Sequence, residues 1–251
     1  MSDRAPFNDP SSCDQSPPVV HHQSQETANR ADGDRMARIV AVGNLKGGVG
    51  KSTLAVNLAC ELSKGRTVRL IDADAQATTA EWLAGGALPI EGEALPLDDP
   101  RQAQAWIRKI TTMPADVLVI DLPPHTGAAT AAALFVCSLF IVPVAPSGLD
   151  LRAAAKALDM LREARGLRGN GMPGALLVPS RVDRRTGAGR EIEAALHEMG
   201  EPVGPAIGAR SAFVDSATAR EWVGSFAPRS IAHQEIATLA AVVARIIRKG
   251  M

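Results

Sequence analysis

The stretch Lys46-Gly47-Gly48-Val49-Gly50-Lys51-Ser52-Thr53 constrains this chain more than any other. An apolar run, Ile39-Val40-Ala41-Val42, precedes it, and Leu54 to Leu62 follow with helical apolar spacing. Strand, glycine loop and helix in that order form the setting of a phosphate-binding loop. Lacking Cβ atoms, Gly47, Gly48 and Gly50 allow backbone N–H groups to turn inward around phosphate oxygens. The N-terminus of the following helix adds unpaired donors and partial positive charge. Lys51 can then reach the β- and γ-phosphates, and the Ser52 hydroxyl can ligate Mg2+. A glycine-rich turn with two solvated lysines would need neither the strand nor the helix, and both are present.

Further apolar runs of strand length occur at Val68–Ile71, Val117–Ile120, Leu139–Val144 and Ala175–Val178. Helical spacing lies between them, at Gln102–Ile110, at Ala128–Val136 and on a face made by Leu151, Ala154, Ala155, Leu158 and Leu161. Helices are also predicted over Arg190–Met199 and Ser230–Lys249, with Gly65 and Gly200 as stop signals. This alternation predicts an α/β fold, a mostly parallel twisted sheet flanked by helices on both faces. The Gly- and Pro-rich residues from Leu83 to Pro100 read as a surface excursion. Residues 1–36, rich in Ser, Pro, Gln, Asp and His, read as a disordered tail, leaving 37–251 as the folded domain.

Two of the predicted strands end in acids. Val68–Ile71 runs into Asp72-Ala73-Asp74-Ala75-Gln76, and Val117–Ile120 runs into Asp121. A carboxylate at the C-terminal end of a parallel strand faces the crevice where ligands sit in open α/β sheets. Asp121 is therefore a candidate to hold Mg2+ through a water.

At 251 residues the chain can bury an ample core without disulfides or metal. Its 27 basic and 27 acidic residues cancel, so any attraction for nucleic acid or membrane must come from a local patch. Cys13, Cys60 and Cys137 have no metal-ligand spacing and read as reduced thiols. From Leu122 to Leu149 there is no Asp, Glu, Lys or Arg, yet Pro123, Pro124, Gly127, Pro143 and Pro146 leave no apolar run long enough to span a bilayer. The polar N-terminus carries no secretory signal, and a cytoplasmic location is expected.

The usual phosphate-loop pattern places Gly at position 45, where this chain has Leu45, and an extra lysine, Lys46, precedes the double glycine. With Asn44 ahead of it, this deviant Walker A resembles that of the ParA/MinD family of ATPases. Asp72-Ala73-Asp74-Ala75-Gln76 is similar to the family's D-x-D-P-Q with Ala75 for proline. Asp121-Leu122-Pro123-Pro124, Pro143-Val144-Ala145-Pro146-Ser147 and residues 207–228 extend the resemblance, which covers about Ala37 to Arg248.

The resemblance implies a P-loop NTPase fold, ATP and Mg2+ as cofactors, and hydrolysis of ATP to ADP and phosphate. It implies Lys51 on the phosphates, Asp74 orienting the attacking water, and Ser52, Asp72 and Asp121 at the metal. It implies that Lys46 reaches the partner's nucleotide across an ATP-dependent homodimer. It places Pro179 and Arg181 at the base, although Ser180-Arg181 stands where many members have Asn. The short plasmid type of this family serves DNA partition: the ATP dimer binds nonspecific DNA on the nucleoid, and a ParB-like centromere-binding protein stimulates hydrolysis. Arg210, Arg220, Arg245, Arg248 and Lys249 are the candidate DNA contacts, while Ala212 stands where relatives place a DNA-contacting arginine.

The resemblance leaves alternatives open. Members also position carboxysomes, chemotaxis clusters or the division site, and MinD-like proteins end in a membrane-binding helix. Here the last helix is diluted with Ala and lacks Phe and Trp, so docking on the sheet is expected instead. A redox or metal-delivery ATPase would need cluster cysteines, which Cys60 and Cys137 do not supply.

Overall fold

The computed structural model describes residues 37–249. The tail expected at 1–36 lies outside the described residues, as does the side chain of Lys249. Among the described residues six strands form one parallel sheet: β1 (Arg38–Val42), β2 (Val68–Asp72), β3 (Glu91–Ala94), β4 (Val117–Asp121), β5 (Leu139–Val144) and β6 (Gly174–Pro179). Their spatial order is β3-β2-β4-β1-β5-β6. The phosphate loop therefore leaves a central strand, and the acid-ended strands β4 and β2 lie successively to one side of it.

Alternate residues of each strand feed two separate cores. Ile39, Ala41, Leu118, Ile120, Phe140 and Val142 face one layer, with helices α3 (Ala103–Thr111), α4 (Ala128–Val136), α5 (Gly148–Arg168) and α6 (Gly187–His197). Val40, Val42, Val117, Val119, Leu139 and Ile141 face the other. That second layer holds α1 (Lys51–Leu62), α2 (Thr78–Leu83), α7 (Ser211–Thr218), α8 (Val223–Phe226) and α9 (Ile231–Lys249). Both faces are dry, which is why the strands read as continuous apolar runs rather than alternating ones.

Several local expectations change. The excursion after Leu83 contains β3, whose Glu91-Gly92-Glu93-Ala94 has no apolar pattern because it is an exposed edge strand pairing only with β2. Gly65 closes a 3-10 turn, Ser63–Gly65, without left-handed backbone, whereas Gly200 does adopt it (φ 79°). Helix α6 starts at Gly187, earlier than predicted, because the Thr186 hydroxyl accepts the Gly189 N–H at 3.0 Å and caps it. On α5, Ala157 is buried and Ala155 exposed, and on α9 Ile247 is buried where Ile246 is only partly so.

Helix α9 packs against α1, as docking requires. Ile236, Leu239, Val243 and Ile247 are buried, at about 2 kcal/mol each for a large aliphatic side chain. With that face committed to the interior, the helix presents no apolar stripe to a membrane in this state. No helix among the described residues is long and apolar enough to cross a membrane.

One buried polar residue ties the layer together. Asn57 of α1 is fully buried; its Oδ1 accepts the Val223 N–H at 2.7 Å, and its Nδ2 donates to the Thr53 carbonyl at 2.7 Å. Asn57→Ala strands the Val223 N–H away from water and is expected to cost about 2 kcal/mol. The urea midpoint should fall with an unchanged m-value; a loss below about 0.5 kcal/mol would mean that water replaces the side chain.

Candidate functional site

The loop between β1 and α1 is built by two glycines. Gly48 (φ 77°) and Gly50 (φ 91°) hold the left-handed backbone that turns successive N–H groups inward. Gly47 does not: its φ is not left-handed, and a Cβ there would meet open space. Lys51, the first residue of α1, is 7% exposed, and its Nζ donates to the Lys46 carbonyl at 2.9 Å. Burial lowers its pKa, and the nearby carboxylates of Asp121 and Asp74 oppose that shift. Lys51 and the two acids thus form one electrostatic unit.

The parallel pairing of β2 with β4 sets Asp72 directly opposite Asp121. Asp121 is buried, its Oδ2 accepts the Thr79 hydroxyl at 2.7 Å, and its Oδ1 is buried with no hydrogen-bond partner. Burial pushes its carboxyl up to about 7, helped by the charge of Asp72 and opposed by the Ser52 and Thr79 hydroxyls and by Lys51. A bare carboxylate oxygen beside a hydroxyl suits a divalent cation, which favours the ionised form that burial alone disfavours. No group of three or more acidic, His or Cys side chains with metal-holding geometry occurs among the described residues. Mg2+ at a phosphate loop needs only one or two protein oxygens besides phosphates and waters. Ser52 and Asp121 fit that donor set.

Asp72 is placed differently from a free metal ligand. It is fully buried, its Oδ1 accepts the Asp74 N–H at 3.0 Å, and its Oδ2 accepts the Ala80 N–H at 2.9 Å. Both oxygens are thus engaged in shaping the turn and the start of α2, and burial raises its pKa. Asp74, partly buried, accepts the Gln76 N–H at 3.0 Å with Oδ1.

Lys46 is held by its own chain. Its Nζ lies 2.8 Å from Oδ2 of Asp150, a buried residue in the first turn of α5, which also accepts the Ser147 hydroxyl. The other carboxylate oxygen of Asp150 is buried without a partner. Asn44 secures the loop entrance, donating from Nδ2 to the Pro143 carbonyl at 2.7 Å.

A cavity of about 820 Å³ opens beside the loop, between Gly48–Leu54 and the segment from Ile207 to Thr218. Ser180 and Arg181 line it and clasp the loop: the Ser180 hydroxyl donates to the Val49 carbonyl at 2.8 Å, and Arg181 Nη1 to the Gly48 carbonyl at 2.5 Å. Pro179, expected there, does not line it; it is buried, and its carbonyl accepts the Ile207 N–H at 2.8 Å.

The candidate DNA cations do not gather in one element. Arg210 lines the cavity and pairs with Glu235 at 2.7 Å. Arg220, exposed with φ 56°, follows α7, and Arg245 and Arg248 are exposed on the last turns of α9. Arg181, expected at the base, stands with Arg184, Arg185 and Arg190 in a denser group between the end of β6 and the first turn of α6 that was not among the expected DNA contacts; Arg184 pairs with Glu193. Four arginines within ten residues were the available signal. Arg185, its side chain 91% exposed, grips Asp183 through two nitrogens. Thr79 and Asp150 were also missed, and nothing in their local spacing marks them. Cys60 and Cys137 are buried with thiols pushed up to about 12, so neither offers a thiolate ligand.

The CobQ/CobB/MinD/ParA nucleotide binding domain matches residues 40–221. The maintenance of carboxysome distribution protein A of Halothiobacillus neapolitanus is 30% identical over 165 residues, covering 65% of this chain and 76% of that protein. The chromosome-partitioning ATPase Soj of Thermus thermophilus is 31% identical over 196 residues, covering 66% and 78% respectively. Among solved structures, the septum site-determining protein MinD of Pyrococcus horikoshii, complexed with Mg-ADP, superposes with a TM-score of 0.69 at 23% identity, covering 84% of this chain and 97% of that one.

Proposed function

Because the chain belongs to the CobQ/CobB/MinD/ParA nucleotide-binding family, we propose that it is a Mg2+-dependent ATPase that works as a dimerising switch on DNA. The observation that carries the Mg2+-nucleotide part of this reading is Asp121, buried with an unpartnered Oδ1 and close to the Ser52 hydroxyl and Lys51 beside a left-handed glycine loop; the switch on DNA is supported by the likeness to Soj alone. Gly48, Val49, Gly50 and Thr53 supply loop and helix-start N–H donors, and Lys51 neutralises phosphate charge. Mg2+, when bound, offsets the charge on the β- and γ-oxygens. Ser52 and Asp121 would hold it. Asp72 serves it from behind by fixing the Asp74 turn, and Asp74 orients the attacking water.

In this reading Lys46 exchanges the Asp150 carboxylate for the more negative triphosphate of a second subunit when the dimer forms. Loss of the γ-phosphate removes that attraction, and the dimer weakens.

The ATP dimer binds nonspecific DNA through surface arginines, with Arg190 joining Arg220, Arg245 and Arg248 as candidates. Two cargo readings stand equally: DNA segregation with a ParB-like partner, favoured by the likeness to Soj, and positioning of a protein body, favoured by the likeness to a carboxysome distribution protein. A membrane role is disfavoured by the buried face of α9.

Gel shifts on two unrelated duplexes with ATP, ADP or no nucleotide test the switch. Binding is expected with ATP alone, to both duplexes. A dimer making about six phosphate contacts would lose roughly a thousandfold in affinity between about 50 and 200 mM salt. Binding without ATP, or ATP-dependent liposome binding with no DNA shift at low salt, would overturn it.

A further inference from the structure

Phosphates on the glycine loop would occupy only one end of the neighbouring cavity. The cavity is also lined by Ile207, Phe213 and Val214, and by Arg210 from the same segment. The Arg210 guanidinium lies against the backbone of Gly208: a Cβ there would be 2.6 Å from Nε, 2.8 Å from Cζ and 2.9 Å from Nη2. Near-equal distances to three atoms mean that the guanidinium turns a face, not an edge, toward Gly208. Only glycine leaves room for that approach. The Glu235 carboxylate then locks the pair, Oε1 accepting from Arg210 Nη2 at 2.7 Å and Oε2 from the Gly208 N–H at 3.0 Å. One face of the guanidinium is thus taken by Gly208 and one edge by Glu235, in a side chain that lines the cavity.

We propose that the guanidinium's other face stacks on the base of the bound nucleotide, making Arg210 the residue that positions the base and Glu235 the residue that positions Arg210. The inference rests on the nucleotide-binding reading above. A guanidinium is planar and weakly hydrated and stacks well on aromatic rings, which an ammonium cannot imitate. Glu235 balances its charge, so the pocket gains a flat surface without net charge. The apolar side chains of Leu54 and Phe213, lining the same cavity, suit the remaining surface of a base. Arg210, expected from sequence among the DNA contacts, is thereby reassigned to the nucleotide, its charge already paired.

The test compares ATP with inorganic tripolyphosphate, which has the phosphates and no base. Each competes, at up to millimolar concentration with Mg2+, against a fluorescent ATP analogue on wild type, Arg210→Ala, Arg210→Lys and Glu235→Gln. Arg210→Ala is expected to weaken ATP about tenfold and tripolyphosphate not at all. Arg210→Lys should fail to restore ATP affinity, and Glu235→Gln should give a smaller loss, since it keeps one acceptor. Unchanged ATP affinity in Arg210→Ala, an equal loss for both ligands, or full rescue by lysine would overturn the stacking role. Failure of wild type to bind either ligand would overturn the nucleotide reading itself, a result distinct from the other three.

Discussion

Lys51→Ala is expected to abolish ATP binding. Lys51 is the buried cation at the start of α1, and Asp121 and Asp74 lie close enough to oppose its loss of charge. Without it, those carboxylates would repel the β- and γ-phosphates. Two charge-assisted hydrogen bonds at about 1.5–3 kcal/mol each amount to a loss of roughly a hundred- to ten-thousandfold in affinity. The fold should tolerate the change, because burial already disfavours the lysine's charge and the Nζ makes one hydrogen bond, to the Lys46 carbonyl. An unchanged thermal midpoint with no retention of a fluorescent ATP analogue is the expected pair of results. Tight retention would remove Lys51 from the site.

Asp74→Ala should separate hydrolysis from binding. The Asp74 carboxylate accepts one hydrogen bond, from the Gln76 N–H in an exposed turn, whereas the neighbouring Asp72 and Asp121 are buried in the framework. Removing Asp74 therefore leaves the loop, Lys51 and Asp121 in place. Loss of a water-orienting carboxylate costs about 100- to 10,000-fold in turnover, and the variant should accumulate as an ATP-bound dimer. Phosphate release and sizing in ATP read the two effects separately. A monomeric variant beside a dimeric wild type would show that Asp74 shapes the turn instead.

Much of the site was legible because its chemistry is local. Gly48, Gly50, Lys51 and Ser52 fall within five consecutive residues, and left-handed φ values at 48 and 50 are what glycine permits there. Asp72 and Asp121 were found because both end apolar runs, and strand ends in a parallel sheet converge on one crevice. Strand β3 was not found, because an exposed edge strand carries no apolar period. The helix stop assigned to Gly65 failed because a 3-10 turn finishes α1 without left-handed backbone.

The sequence alone determined the strand–loop–helix unit, the α/β plan of a sheet with helices on both faces, and the acids at the strand ends. Each is written in residues adjacent in the chain or repeating at a fixed period. Tertiary structure decided what those groups are bonded to. Thr79 meets Asp121 across 42 residues, Lys46 meets Asp150 across 104, and Arg210 meets Glu235 across 25. Such pairs depend on sheet register and on how helices cross the strands, and no local pattern encodes either. The same physics separated Asp72 from Asp121: both end neighbouring strands, but the turn after β2 folds its own N–H groups onto Asp72, while Asp121 keeps one oxygen bare.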